Sequence, residues 1–185
     1  MGFLLLSGGT NVHPIGYVAV LPAAAPTLPI YAVTLTAYNA VPEQTDGDPL
    51  VTASGAFSNP EVVVARSQDL ADELPFGTII EIDGPSISNN SCGYNIVSPI
   101  IGYRVIADTM NARYTDRIDV LFSTKSNYIM ADGRVKNASQ VLGICSGATI
   151  RVVGHIDIKN PNKLPKTQAE LAVIVVGGSG LALNK

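Results

Sequence analysis

Short apolar runs rich in β-branched residues recur along the chain, separated by glycine, proline, asparagine and aspartate. This pattern predicts short strands joined by turns. Strands do not alternate with helical segments, so the pattern favours a mainly β barrel over a parallel α/β sheet. The predicted strands are Val33–Tyr38, Val62–Ala65, Ile79–Ile82, Tyr103–Ala107, Val120–Phe122 and Thr149–Val153.

Three further segments have a different character. Gly84–Pro99 is polar and predicts a loop or hairpin, part of an insertion at residues 84–102. Ser123–Leu142 is the best helix candidate, but Asp132-Gly133 interrupts its period, so one or two short helices are predicted there. Ala169–Val176 is a last apolar element, and Gly177–Gly180 predicts a flexible or tightly turned tail.

The charge of the chain argues against nucleic acid as a binding partner. The 185 residues fit one domain, and 15% of them are charged, giving a net charge of -3 without a basic cluster. Nucleic acid is therefore not an expected partner, because phosphate binding needs a basic surface. No apolar run approaches the roughly 20 residues of a membrane-spanning helix, so no membrane span is predicted.

The two ends of the chain differ from its centre. The first 42 residues carry no charge. Residues 1–32 are interpreted as a remnant of an export signal, as an arm that packs on a neighbouring subunit, or as an ordinary strand and loop. Residues 33–154 form the predicted barrel domain, and residues 155–185 a linker and apolar tail. Such ends could add a strand to the sheet of a neighbouring copy, which predicts a possible homo-oligomer.

Cys92 and Cys145 are the only two cysteines. Their even number and the low charge suit an exported protein, in which they could form a disulfide. Two buried thiols are the alternative, because spacing alone does not establish a bond.

The segment from Asp108 to Asp119 carries the candidate chemistry. One carboxylate ends a predicted strand and the other begins the next, and a rigid sheet can position such groups for acid/base work. Two structural alternatives stay open. The aspartates could cap turns, or Asp119 could form a surface ion pair with Arg117 or Arg104.

Four blocks of sequence occur in an order that resembles a known family. They are Thr36-Ala37-Tyr38-Asn39 with Thr52-Ala53-Ser54-Gly55, then Val62–Leu70 with Leu74-Pro75-Phe76-Gly77-Thr78, then Val105–Thr109, and finally Arg117–Phe122. Together they resemble the three-aspartate ("3D") domain. This is a double-psi β-barrel family related to the catalytic domain of membrane-bound lytic transglycosylase A and to bacterial stationary-phase muralytic enzymes.

The resemblance implies a six-stranded double-psi β-barrel with one or two short helices. It also implies that Asp69, Asp108 and Asp119 are the three named aspartates, with Asp72 as the alternative to Asp69. Asp119 corresponds to the catalytic acid/base, and Asp108 would support it from the adjacent strand.

The implied activity is that of a secreted or cell-envelope lytic transglycosylase, which cleaves peptidoglycan or another glycan strand and needs no cofactor. One aspartate protonates the leaving oxygen and then accepts a proton from the 6-hydroxyl of muramic acid, giving a 1,6-anhydro product. The side chains expected to contact the glycan are Thr36, Tyr38, Thr52, Thr109, Tyr114 and Arg117.

The loop between the two aspartates departs from the cell-wall-cleaving members. They carry a Gly-Gly-Ala-Ile-Lys-Gly type loop, whereas this chain has Met110–Thr115, with Tyr114 at the position of the lysine. The loop resembles a second branch of the family, with an Asp-Thr-Met-Asn and Arg-Tyr pattern. The alternative function is therefore a self-assembling structural protein, such as a filament, surface or virion protein, built on the same barrel without catalysis.

Overall fold

The computed structural model of the chain describes residues 28–45, 47–86, 92–158 and 163–181, with side chains described as far as residue 178. Six strands close into a barrel, which confirms the predicted mainly β, six-stranded fold. The barrel strands are β1 (Ile30–Asn39), β2 (Val63–Arg66), β3 (Thr78–Asp83), β4 (Arg104–Thr109), β5 (Arg117–Phe122) and β8 (Cys145–His155). Two further strands, β6 (Asn127–Ile129) and β7 (Val135–Asn137), form a separate two-stranded sheet.

The barrel mixes parallel and antiparallel pairs. Around its circumference the order is β1, β5, β2, β4, β3, β8. The pairs β1–β5 and β2–β4 are parallel, and the other four are antiparallel. Because β2 lies between β5 and β4, the start of β5 and the end of β4 flank the same short strand.

The strands bury both of their faces. Along β4, Ile106 packs in one apolar cluster, whereas its neighbours Val105 and Ala107 pack in a second cluster. This follows from the two-residue period of a strand, which points successive side chains to opposite faces. Burying one such aliphatic side chain contributes about 1.5–3 kcal/mol, so the strands can be short and still be stable.

The turn before β3 requires glycine. Gly77 has φ +96°, and a Cβ there would lie 2.0 Å from the carbonyl oxygen of Ile156. The same residue donates its N–H to Ile106 O at 2.8 Å and accepts from Ile156 N at 2.9 Å. The Pro-Phe-Gly-Thr turn therefore joins β3 to β4 and to the end of β8.

The insertion is partly helical, where the sequence predicted a loop or hairpin. It contains α1 (Tyr94–Val97) and a 3₁₀ turn at Ser98–Ile100, while residues 87–91 lie outside the described part. Cys92 forms a disulfide with Cys145 at the start of β8, so the alternative of two buried thiols is wrong. The bond holds the insertion against the barrel.

Of the one or two short helices predicted within Ser123–Leu142, the structure has one, near the end of the segment. The segment forms the β6–β7 hairpin, with Asp132-Gly133 in its turn, and only α2 (Ala138–Leu142) is helical. Asn137 caps α2: its side chain accepts from the backbone N–H of the first turn, while Gln140 accepts from Asn137 N. The Asp-Gly pair therefore marks a hairpin turn, not an interruption in a helix.

A C-terminal helix, α3 (Gln168–Leu181), packs on the barrel through the buried side chains of Leu171 and Val175. The Gln168 side chain binds the first turn of α3 to the barrel. Gln168 Nε2 donates to Tyr103 O at 2.8 Å, and Gln168 Oε1 accepts from Tyr103 N at 3.0 Å. The helix continues through Gly177–Gly180, which the sequence predicted as a flexible or tightly turned tail.

The predicted N-terminal arm, residues 1–32, lies mostly outside the described part. Its last residues belong to β1, where Ile30 and Ala32 pair with Arg151 and Thr149 of β8. Among the helices of the described residues, none has the length and apolar character needed to cross a bilayer.

Candidate active site

Four residues from four neighbouring strands lie in one row across the barrel. Thr36 of β1 pairs with Asp119 of β5, Asp119 pairs with Ala65 of β2, and Ala65 pairs with Asp108 of β4. Two strand spacings separate the aspartates, which corresponds to about 10 Å between their Cα atoms. Because Ala65 between them has only a methyl group, no long side chain of β2 separates the two carboxylates.

Asp119 has the properties of a proton donor near neutral pH. Its carboxyl group accepts a hydrogen bond at Oδ1 from the Thr36 hydroxyl, at 2.6 Å. Burial raises the pKa of Asp119 from 3.8 to about 6, although the Thr36 bond and the charge of Arg117 lower it; the charge of Asp108 raises it further. Among the described residues, none donates a hydrogen bond to Oδ2, so this oxygen is available to a ligand.

Asp108 is held by three donors and so differs from Asp119. Its Oδ2 accepts from the Tyr38 hydroxyl at 2.7 Å, and its Oδ1 accepts from the backbone N–H groups of Ala53 and Thr109, both at 2.9 Å. Burial, followed by the charge of Asp108, raises the pKa of Tyr38 well above its usual range, so Tyr38 remains a neutral donor.

A cleft of about 540 Å³ opens over both aspartates. Its described lining is mainly polar, so it offers hydrogen-bond donors and acceptors to a hydroxyl-rich ligand. The lining residues are Tyr38, Glu43, Gln44, Thr45, Val51, Thr52, Ala53, Ala65, Asp108, Thr109, Met110, Asn111, Arg113, Tyr114 and Asp119.

Of the residues expected to contact a glycan, Tyr38, Thr52, Thr109 and Tyr114 line this cleft. Tyr38 is only 8% exposed, so it offers little ring surface for stacking on a sugar. The Thr52 hydroxyl lies 3.1 Å from Ala56 O, to which it donates.

Thr36 and Arg117 do not line the cleft. The Thr36 hydroxyl instead donates to Asp119, and Arg117 places its guanidinium group 4.9 Å from the ring centroid of Tyr114. Thr36 and Arg117 therefore contact the lining residues Asp119 and Tyr114 without lining the cleft themselves.

Asp69 lies apart from the other two aspartates. It is exposed and does not line the cleft, as is also true of its alternative, Asp72. Asp69 Oδ2 accepts from the backbone N–H of Asp116 at 2.9 Å. Asp116 is a non-glycine residue with φ 51°, so this bond supports an uncommon backbone conformation directly before β5. In the structure Asp69 thus fixes the loop that leads to Asp119.

The ion-pair alternative for Asp119 is wrong for Arg104. Arg104 is fully buried, and its guanidinium donates to carbonyl oxygens that include Ile101 O at 2.6 Å and Pro60 O at 2.7 Å. Burial lowers the pKa of Arg104 to about 9. Within the described residues, Asp119 forms no ion pair with Arg117 either, although the charge of Arg117 reaches it.

Several lining residues were missed by sequence reasoning. Glu43, Gln44 and Thr45 lie in the loop after β1, and Gln44 is held there by a hydrogen bond from Asn39 N to its Oε1, at 2.8 Å. Arg113 lies in the loop between the two aspartates. The position of these residues in loops that border strand ends was the available signal.

No protein-family model matches the chain, and no curated protein matches it significantly.

Proposed function

We propose that the protein cleaves glycan strands of peptidoglycan as a lytic transglycosylase, with Asp119 as the single acid/base. The observation that carries this proposal is the state of Asp119: its pKa is raised to about 6 by burial, and it has one unengaged oxygen at an open polar cleft. With that pKa, roughly a tenth of the molecules carry the proton at pH 7, which suffices for a general acid.

In the proposed mechanism, Asp119 transfers its proton to the glycosidic oxygen while the bond from the anomeric carbon to that oxygen breaks. The resulting carboxylate then accepts the proton of the 6-hydroxyl of the same muramic acid residue as this oxygen bonds to the anomeric carbon. The products are a 1,6-anhydro sugar and a free hydroxyl on the leaving sugar. Asp119 ends protonated, ready for another cycle.

The hydrogen bonds of Asp108 favour one catalytic carboxylate over two. Hydrolysing glycosidases use a second carboxylate that attacks the sugar or activates water. Both oxygens of Asp108 accept from Tyr38 or from backbone N–H groups. Asp108 therefore supplies a fixed negative charge near Asp119, which raises the pKa of Asp119 and favours the positive charge that develops on the sugar ring.

The barrel supports assignment to the three-aspartate domain family. Its six strands, with the parallel pairs β1–β5 and β2–β4, are compatible with a double-psi barrel. The Cys92–Cys145 disulfide supports a secreted or cell-envelope location, because disulfides persist mainly in oxidising compartments.

The test is release of 1,6-anhydro muropeptides from purified peptidoglycan, measured by mass spectrometry. Wild type should release them, and Asp119→Asn should lower the rate at least a hundredfold. Asp72→Asn is the matched control, because Asp72 is an exposed carboxylate outside the cleft. If wild type releases none from cell walls of several compositions, the proposed function is wrong.

The surface of α3 favours a second candidate function, self-association between copies. Val173 and Val176 are 72% and 70% exposed, on a helix that also buries Leu171 and Val175. The closed barrel pairs each of its strands on both sides, so among the described sheets it is the β6–β7 hairpin that leaves an edge for an added strand. Sedimentation velocity of wild type and of Val173→Lys tests this: a monomer at all concentrations would exclude self-association.

A further inference from the structure

The charged groups of the cleft are unevenly distributed. Among the described residues that line it, three are acidic, namely Glu43, Asp108 and Asp119, and Arg113 is the one cation. An anionic ligand entering this cleft would be repelled by the carboxylates unless its negative charge lay beside Arg113. The side of the cleft formed by the loop after β4 is therefore the side suited to an anionic group.

Arg113 is held in place, yet most of its donors are unused. Its Nη2 donates to the Tyr114 hydroxyl at 2.8 Å, and its guanidinium lies 4.7 Å from the Tyr114 ring centroid. Its backbone N–H donates to Asn111 Oδ1 at 3.1 Å, which fixes the turn. None of the described acidic residues lies within ion-pair distance of Arg113.

This combination suits recognition of a carboxylate. A guanidinium group has five N–H donors in a planar fork, which matches the two oxygens of a carboxylate. Because the Tyr114 contacts already restrict the Arg113 side chain, less conformational entropy is lost when a ligand binds.

The ring and the hydroxyl of Tyr114 contact arginine side chains and are therefore not free to contact a sugar. The guanidinium groups of Arg113 and Arg117 lie 4.7 and 4.9 Å from its ring centroid, and its hydroxyl accepts from Arg113. These contacts occupy the ring surface and the hydroxyl that a sugar would use. Tyr114 is thus a positioning residue for Arg113.

We propose that Arg113, positioned by Tyr114, selects glycans that carry a carboxylate beside the cleaved bond. This inference rests on the proposed function and names its substrate class. In peptidoglycan the carboxylate has two sources: the lactyl group of a peptide-free muramic acid, or the peptide that is attached through that lactyl group.

The test compares binding of three soluble probes by isothermal titration calorimetry. They are peptide-free glycan strands with free lactyl carboxylates, the same strands with those groups converted to neutral amides, and strands that retain their peptides. Wild type should bind the carboxylate strands about tenfold more tightly than the amidated strands, and added salt should reduce this ratio.

Two variants test the residues. Arg113→Gln should bring the ratio close to one. Tyr114→Phe keeps the ring and removes the hydroxyl, so it should lower the ratio less. Arg134→Gln is the matched control, because Arg134 is an exposed arginine paired with Asp132 on the β6–β7 hairpin, outside the cleft. It should keep the wild-type ratio.

The outcomes separate this inference from the proposed function. Equal affinity of wild type for all three probes, or an unchanged ratio in Arg113→Gln, would overturn the inference while leaving Asp119-dependent cleavage intact. Absence of both binding and cleavage would overturn both. If peptide-bearing strands bind about tenfold more tightly than amidated strands and peptide-free strands do not, Arg113 recognises a carboxylate of the peptide.

Discussion

The raised pKa of Asp119 makes a prediction about folding that needs no substrate. The pKa of this carboxyl group is 3.8 in an unfolded chain and about 6 in the folded protein. Between these values the folded state binds more protons than the unfolded state, so the free energy of unfolding falls as pH rises. The loss is complete above about pH 7 and amounts to about 3 kcal/mol, because one pKa unit corresponds to roughly 1.4 kcal/mol.

Asp119→Asn should remove this loss. An asparagine keeps the shape of the side chain and an oxygen that can accept from the Thr36 hydroxyl, and it carries no charge at any pH. The variant should therefore be up to about 3 kcal/mol more stable than wild type at pH 8, with the difference shrinking towards pH 4. For a chain of this size, that corresponds to a Tm higher by about 6–12 °C at pH 8.

The assay is thermal unfolding of both proteins, followed by circular dichroism at intervals between pH 4 and pH 8. Other titrating groups are common to the two proteins and cancel in the difference between them. Asp72→Asn removes an exposed carboxylate and should show no such pH-dependent gain. A Tm difference between Asp119→Asn and wild type that is constant across this range would refute the reasoning, because burial of the charge would then impose no folding cost.

Three further substitutions test the framework around the site. Gly77→Ala should destabilise the protein by at least about 2 kcal/mol in urea unfolding, because its Cβ would meet the carbonyl oxygen of Ile156; an unchanged midpoint would contradict the described turn. Replacing both cysteines, Cys92→Ser and Cys145→Ser, should cost about 4 kcal/mol relative to oxidised wild type, as expected for a loop closed over 53 residues, and an equal loss in reduced wild type is the control. Gln168→Ala should speed amide exchange in α3 while leaving exchange in the barrel strands slow.

Local sequence patterns predicted the six barrel strands, and they also contained signals for the β6–β7 hairpin and for the start of α2 that the helix prediction overlooked. The short apolar runs located every barrel strand, because a strand that buries both faces has apolar residues at successive positions. The β6–β7 hairpin was missed because its apolar residues are few, although Asp132-Gly133 is a hairpin signal. Similarly, Asn137 followed three residues later by Gln140 has the spacing of a capping box, which marks the true start of α2.

The contacts that distinguish the two acids could not be predicted from the sequence. Tyr38 and Asp108 are 70 residues apart, and Thr36 and Asp119 are 83 residues apart, so their pairing depends on the closed barrel. The two carboxylates look alike in the sequence, since one follows a predicted strand directly and the other directly precedes one. What separates them is the number of donors that the fold directs to each one: three to Asp108 and one to Asp119.

Strand β1 supplies a side-chain donor to each acid. Thr36 and Tyr38 are two residues apart, so they leave the strand on the same side, and each hydroxyl donates to one aspartate. The short threonine leaves Asp119 Oδ2 open at the cleft, whereas the long tyrosine, together with two backbone N–H groups, engages both oxygens of Asp108. Because Tyr38→Phe removes one of the three donors to Asp108, it should lower the proposed release of 1,6-anhydro muropeptides, and an unchanged rate would contradict this division of roles.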